Sequence, residues 1–355
     1  MRRSLLLIVL TCQSVLSHAY ILQDTGKAKQ RISRIIPGRP ASIGILGDTT
    51  DVVSKTSGGS VLMGGGTDVD AAFQWMIGRS GGGNVVVIRA SGTDDYNPYI
   101  DSLGKVSSVE TLKIDSRALA NNDTVARYIH NAEMLFIAGG DQSNYMKYWK
   151  GTKTMAAINY LLNVKHVPVG GTSAGCAIMG GFYYSGEFES ITAKQALSNP
   201  YDTLLRVYDN DLLHAPFLKH VITDQHYVTR SRQGRHVAFL SRIITDKNVY
   251  ADGIAADEKT AVCIDDKGKA IVLGKSKAYF LITDPKKSPE LCAPGKPLNW
   301  NRNQQAIKVY ELPGSESDNN NGSFDVCTFN TTKAHGGKWY WWWVDNGELK
   351  QQEIK

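Results

Sequence analysis

The chain has 355 residues, 42% of them hydrophobic and 21% charged, and 40 Lys and Arg against 34 Asp and Glu give a formal charge of +6. This is the composition of an ordinary globular protein with ample material for a buried core, and it excludes a disordered or fibrous chain. The positive excess is too small to argue for a nucleic acid or a membrane surface as partner.

Residues 1–19 read as a secretory signal peptide. Arg2 and Arg3 precede the apolar run Leu5 to Leu10, and Ser17-His18-Ala19 offers small residues at the positions a signal peptidase reads. The run is well short of the roughly 20 residues that a membrane-spanning helix needs. Removing this segment deletes two arginines and no acid, so the charge falls from +6 to +4. An exported chain meets an oxidising compartment in which its cysteines can pair. Cys12 leaves with the signal. Cys176, in an expected packed helix after Gly175, and Cys263, in the apolar run Thr260 to Ile264, are expected to be buried small hydrophobes, whereas Cys292 and Cys327 stand in Pro/Gly/Asn-rich stretches and are the expected disulfide. Asn122, Asn321 and Asn330 are acceptor sequons for glycosylation in an exported chain.

Residues 20–56 lack a strong period and read as an N-terminal extension with one strand at Ala41 to Leu46. From Gly59 onward short apolar runs alternate with helical spacing. The expected strands are Ser60 to Met63, Asn84 to Ala90, Val109 to Ile114, Met134 to Ala138 and Val167 to Gly170. Helices are expected over Asp68 to Arg79, Tyr96 to Leu103, Asp123 to Ala132 and, as one long element, Ser143 to Leu162. Beyond these, Lys219 to Thr223 reads as a strand and Val228 to Ile243 as a helix. Strands follow at Val249 to Ile254, Ala261 to Asp265, Lys269 to Leu273 and Ala278 to Ile282. The pattern argues for an α/β fold: a doubly wound, mostly parallel sheet with helices on both faces. Residues 57–283 form its main domain. Residues 284–355, rich in Pro, Asn, Ser and Gly, form an irregular or β C-terminal extension packed on it, in which Trp339 to Trp343 reads as a strand.

Chemistry concentrates at the expected carboxyl ends of strands. Gly171-Thr172-Ser173-Ala174-Gly175 has the Gly-x-Ser-x-Gly pattern of a nucleophile elbow, in which a serine stands on a cramped strand-to-helix turn and the amide of Ala174 is free to bind an oxyanion. A serine needs a base, and among eight histidines His226 is the one that directly follows an expected strand and so shares the edge with Ser173. Asp257 and Glu258 both follow a later strand, and either carboxylate reaches that edge. Arg230, Arg232 and Arg235 crowd beside His226, which suggests recognition of an acidic substrate, with Gln142 as a neutral donor at a neighbouring strand end. No zinc-type His-x-x-x-His helix, close Cys pair or phosphate loop is present, so neither a metal nor any other cofactor is expected.

These motifs, with Gly139-Gly140-Asp141-Gln142, Gly64-Gly65-Gly66-Thr67-Asp68, Ala90-Ser91-Gly92-Thr93-Asp94, Asp224-Gln225-His226 and Asp257-Glu258-x-Thr260-Ala261, resemble the cyanophycinase and peptidase E family of serine peptidases over roughly residues 59–275. The resemblance implies a fold related to class I glutamine amidotransferases and hydrolysis next to aspartyl residues in an acidic peptide or aspartyl polymer. It implies Ser173 as nucleophile, His226 as base and Glu258 as its orienting acid. It further implies oxyanion amides from Ala174 and one of Gly65 or Gly66, and a substrate set of Gln142, Gln225, Arg230, Arg232 and Arg235. A homodimer is one oligomeric state left open. The competing reading, carried by the Trp-rich run and the sequons, is a catalytically silent secreted matrix or carbohydrate-binding protein that keeps the fold.

Overall fold

Alternation of apolar side chains along the strands builds two opposite faces at once. A computed structural model describes residues 31–317 and 322–355. The expected signal peptide, its Cys12 and the sequon residue Asn321 lie outside the described residues. In chain order the first half contains β1 (Ser42–Gly47), β2 (Gly59–Met63), α1 (Asp70–Ser80), β3 (Asn84–Arg89), α2 (Tyr96–Leu103), β4 (Ser108–Lys113), α3 (Arg117–Ala120), α4 (Asp123–Asn131), β5 (Met134–Ile137), α5 (Gln142–Trp149), α6 (Lys153–Tyr160) and β6 (Pro168–Thr172). Strands β4, β3, β5, β6 and β2 lie side by side in that order and are mutually parallel. Val85, Val87, Val109 and Phe136 pack under α1 and α2, while Val86, Ile88, Leu112 and Ile137 pack under α4 to α6. The period of two therefore covers both faces with helices, the doubly wound arrangement read from the sequence.

The second half contributes α7 (Ala174–Ala177), β7 (Phe182–Tyr184), α8 (Ala193–Ser198), β8 (Val207–Asp209), β9 (Val221–Asp224), α9 (Gln233–Lys247), β10 (Asp252–Ala256), β11 (Thr260–Asp265), β12 (Lys269–Gly274), β13 (Lys277–Ile282), β14 (Ile307–Pro313), β15 (Phe324–Asp325), β16 (Lys338–Asp345) and β17 (Glu348–Glu353). Antiparallel β1, β11, β12 and β15 extend the parallel core into a nine-stranded sheet. The remaining strands form a second, eight-stranded sheet in the order β17-β16-β14-β13-β10-β9-β7-β8, parallel only at β10–β9 and β9–β7. Residues after 284 thus supply strands to both sheets. Val262 and Val272 of the first sheet share one apolar cluster with Ile254, Phe280 and Leu312 of the second, so the sheets pack on each other through it. The outer face of the second sheet is covered by α8 and α9 through Ala196, Leu197, Val237, Phe239 and Leu240.

Three local expectations change. The long helix over Ser143 to Leu162 is two helices, α5 and α6, followed by a π-helical turn at Leu161–Lys165. It breaks because Trp149 buries its indole, whose N–H donates to the carbonyl of Ile114 at 2.8 Å, and the following Gly151 turns the chain at φ +70°. The helix expected from Val228 begins only at Gln233, because the amides of Val228 and Thr229 donate to the Asp257 carboxylate instead. The expected disulfide is absent, and both thiols are free. Cys292 packs beside α9, its Sγ 3.6 Å from Ser241 Oγ, whereas Cys327 lies in the turn after β15 against Gly268. The two irregular stretches belong to different sheets, a relation that local composition does not encode. Cys176 and Cys263 are buried as expected.

Candidate active site

The elbow follows from two close approaches. A side-chain carbon at Gly171 would meet the backbone of Gly175 at 2.5 Å, and one at Gly175 would meet the carbonyl carbon of Ile137 at 3.0 Å. Strand β6 can therefore turn straight into α7 beside β5 only with glycine at both places. Between them Ser173 is held at φ 51°, ψ −112°, outside the regions a serine ordinarily occupies, a strain typical of a nucleophile at an elbow.

Three segments converge on the end of β2. The Ser173 amide donates to the carbonyl of Met63 at 3.1 Å, the His226 amide to that of Gly64 at 2.8 Å, and the Lys259 amide to that of Gly65 at 2.9 Å. Their side chains then form a relay. Ser173 Oγ lies 2.8 Å from Nε2 of His226, whose Nδ1 lies 2.6 Å from Oε1 of Glu258. Asp257, the other carboxylate left open by the sequence, is committed elsewhere. Its Oδ1 accepts the amides of Val228 and Thr229 at 3.0 and 2.9 Å, and its Oδ2 accepts the hydroxyl of Ser276 at 2.7 Å. It caps the turn that carries His226.

Burial lowers the pKa of His226, Glu258 opposes that shift, and the charges of Arg230 and Arg232 add to it. The imidazole therefore stays neutral, as a base must be, below the ordinary histidine range. Gly65 backs its ring: a side-chain carbon there would fall 2.6 Å from Nε2. Gly66 lies in the same way against Glu258, and Gly139, at the end of β5, lies against Cβ of Ser173.

The arginines divide into distinct environments. Arg235 is almost fully buried, and its guanidinium donates through Nε to Asp224 Oδ2 at 2.9 Å, through one terminal nitrogen to Asp224 Oδ1, and through the other to Ser190 Oγ at 3.1 Å. It also reaches Gln225 Oε1 at 3.4 Å and lies against the rings of Tyr184 and Phe239. Burial alone would raise the Asp224 carboxyl, but the charge and hydrogen bonds of Arg235, with Arg232, more than offset it and hold the group below the ordinary carboxylate value. Arg232, also buried, donates to the carbonyl of Gln225 at 3.0 Å and stands 4.0 Å from the same carboxylate. Burial and the neighbouring Arg235 push its pKa down to about 10. Two guanidiniums thus share one carboxylate, which leaves a desolvated positive charge able to receive an anion. Arg230 is mostly exposed, with Nε 3.7 Å from Glu258 Oε1. Gln142 opens α5, its side-chain amide against Gly186 and without a hydrogen-bond partner among the described residues.

The structure thus brings together Ser173, Ala174, His226, Glu258, Gln225 and the three arginines. It adds two residues whose roles the sequence did not reveal. Asp224 shows itself only once its ion pairs are drawn, although its place directly before Gln225-His226 at a strand end was a usable signal. Gly139 beside the serine was read only as a turn. Among the described residues no group of three or more His, Cys, Asp or Glu side chains is arranged to hold a metal ion. Of the sequons, Asn122 caps α4 and Asn330 caps a short 3-10 turn, each through its side-chain oxygen.

The chain is 25% identical over 182 residues to a cyanophycinase from Geminocystis herdmanii, covering 51% of this chain and 61% of that protein. It is 27% identical over 192 residues to a cyanophycinase from Trichormus variabilis, covering 54% and 57%. The matched region thus spans about three fifths of the length of these curated relatives. A crystal structure of a peptidase from an acI-B1 Actinobacterium superposes with a TM-score of 0.48 and 15% identity, over 64% of this chain and 91% of that one. The profile of Peptidase family S51 matches residues 56–272, which is more than half of the chain and includes every member of the relay, and the chain accordingly belongs to peptidase family S51.

Proposed function

We propose that this protein is a secreted serine peptidase that hydrolyses amide bonds next to aspartyl units, of the β-aspartyl kind found in cyanophycin. The observation that carries the proposal is the relay from Ser173 through His226 to Glu258, at 2.8 and 2.6 Å, beside a desolvated arginine pair. In this reading Nε2 of His226 takes the proton of Ser173 Oγ as the oxygen attacks the scissile carbonyl carbon, and Nδ1–H donates to Glu258, which stabilises the imidazolium. The imidazolium returns the proton to the leaving amine, an acyl-enzyme remains, and water hydrolyses it by the same steps in reverse.

For the oxyanion we assign the amide of Ala174 and an amide of the Gly139–Gly140 turn. Gly65 and Gly66, one of which was expected in that role, lie beside the base and the acid. Arg232, with Gln142, is the natural anchor for the aspartyl carboxylate, and Arg235 serves it indirectly by fixing Asp224 and Gln225. Export rests on the leader-like segment 1–19, and glycosylation at Asn122 and Asn330 would follow from it.

The test is hydrolysis of the aspartate-arginine polymer and of α- and β-aspartyl dipeptides by wild type and Ser173→Ala, together with labelling by a fluorophosphonate probe. Ser173→Ala should lose on the order of 10³-fold or more in turnover and all labelling. Unchanged hydrolysis by that variant would refute the nucleophile. Absence of both hydrolysis and labelling in the wild type would favour the silent binding protein instead.

A further inference from the structure

The relay's acid has two suitors. Oε1 of Glu258 holds Nδ1 of His226 at 2.6 Å and the same oxygen lies 3.7 Å from Nε of Arg230. Arg230 is also the one arginine of the cluster free to change partners. More than half of its side chain is exposed (54%), against 10% for Arg232 and 2% for Arg235. We propose that Arg230 is a positioning residue that makes the base respond to substrate: in the resting enzyme it draws on Glu258, and the anionic group of a bound substrate draws it off, leaving the carboxylate to His226.

The electrostatics of every neighbour fit this sequence of events. On the turn that carries His226 the facing charges are Arg230 and Arg232, both opposing an imidazolium. Asp224 beyond them is neutralised by Arg235. From the segment after β10 come Glu258, which favours the imidazolium, and Asp257, whose oxygens are taken by two amides and a hydroxyl. From the elbow comes the neutral Ser173, and from the end of β2 only the backbone of Gly65. Among the described residues the Arg230 guanidinium is thus the exposed charge within reach of Glu258. Moving it onto a substrate carboxylate removes a repulsion from the imidazolium and adds an attraction, so the base strengthens only in the complex, when the serine proton must leave. This reading rests on the proposed peptidase activity; the switch itself makes and breaks no covalent bond, and the proton it favours passes from Ser173 Oγ to Nε2 of His226.

The experiment is an NMR titration of the His226 imidazole in the full chain carrying Ser173→Ala, with the signal identified by its loss in His226→Asn, alone and with β-aspartyl-arginine dipeptide. The dipeptide should raise the midpoint by about half to one pH unit. Adding Arg230→Met should raise the ligand-free midpoint by a similar amount and abolish the further rise, and Arg230→Lys should restore most of the resting value. With Ser173 intact, the acid limb of kcat should lie at higher pH than that of kcat/KM, and the two should coincide in Arg230→Met. A ligand-free midpoint unmoved by Arg230→Met overturns the proposal, as does a dipeptide-induced rise that survives it. The ligand-free comparison needs no substrate, so it stands even if the dipeptide does not bind. Failure of the dipeptide to bind would overturn the substrate reading and the release step, with the resting contact decided by the ligand-free comparison.

Discussion

Replacing Gly65 by alanine tests whether the relay is positioned by the backbone behind it. A methyl carbon at this position would fall 2.6 Å from Nε2 of His226 and closer still to Cε1, so the ring must retreat by roughly 1 Å to reach the 3.4 Å at which ordinary contact begins. In whichever direction it finds space, a displacement of that size stretches or tilts either the 2.8 Å contact to Ser173 or the 2.6 Å contact to Glu258, and both weaken steeply once distance and angle leave the hydrogen-bond range. Misplacement of a reacting group by roughly 1 Å lowers rates by about 100-fold. Residue 65 also sits at φ +92°, where alanine costs about 1–2 kcal/mol that glycine does not. The assay is the second-order rate of fluorophosphonate labelling at Ser173, which needs no knowledge of the natural substrate, with a thermal melt as control. Gly65→Ala should label about 100-fold more slowly while still melting cooperatively a few degrees lower. Labelling at the wild-type rate would show that the imidazole does not depend on this turn, and the positioning argument would fall.

Exchanging the two neighbouring carboxylates separates the acid of the relay from the cap. Glu258→Gln should lower kcat by on the order of 10³–10⁴-fold, because the amide no longer holds the productive tautomer of His226. Asp257→Asn should stay within about tenfold of wild type and show its effect in thermal stability, by roughly 1–2 kcal/mol, as its bond from Ser276 is lost. Equal losses in turnover would mean that the two roles have been misassigned. A third prediction concerns pH and stability at the start of β10. Burial raises the Asp252 carboxyl to about 6, against the hydrogen bonds from Thr283 that favour its charged form. A raised folded-state pKa means that the protonated group stabilises the fold below about pH 4 and that this contribution is lost as pH rises through about 6. Asp252→Asn should therefore gain up to about 3 kcal/mol at pH 7 relative to wild type and lose the pH dependence between 4 and 7. Chemical denaturation at several pH values reads this directly, and a variant less stable than wild type at pH 7 would contradict the sign.

The parallel core was legible because its strands are short β-branched runs such as Val85 to Ile88 and because glycine-rich turns mark their ends. The elbow around Ser173 was legible because Gly171 and Gly175 are dictated by close backbone contacts in its tight turn. The second sheet was not. Its antiparallel outer strands include Glu348–Glu353, an edge of mostly polar and charged side chains whose periodicity carries no face, and pairing partners are not written in any one strand. Nor could sequence choose between Asp257 and Glu258 without the resemblance, because adjacent residues on a turn diverge by geometry alone. The arginine cluster was read as one set of ligands, yet burial divides it into an almost fully buried Arg235 paired with Asp224, a desolvated Arg232 and an exposed Arg230.

Ser173, His226 and Lys259, the neighbour of Glu258, are each tied through a main-chain amide to one of three successive carbonyls at and just past the end of β2, those of Met63, Gly64 and Gly65. The chemistry is thereby insulated from the chain that joins its parts. Ser173 and His226 are 53 positions apart, and His226 and Glu258 are 32 apart, and those connections can lengthen, shorten or exchange sequence without realigning the reacting atoms. Sequence in the joining loops is thereby free to change without moving the carbonyls to which the relay segments are tied.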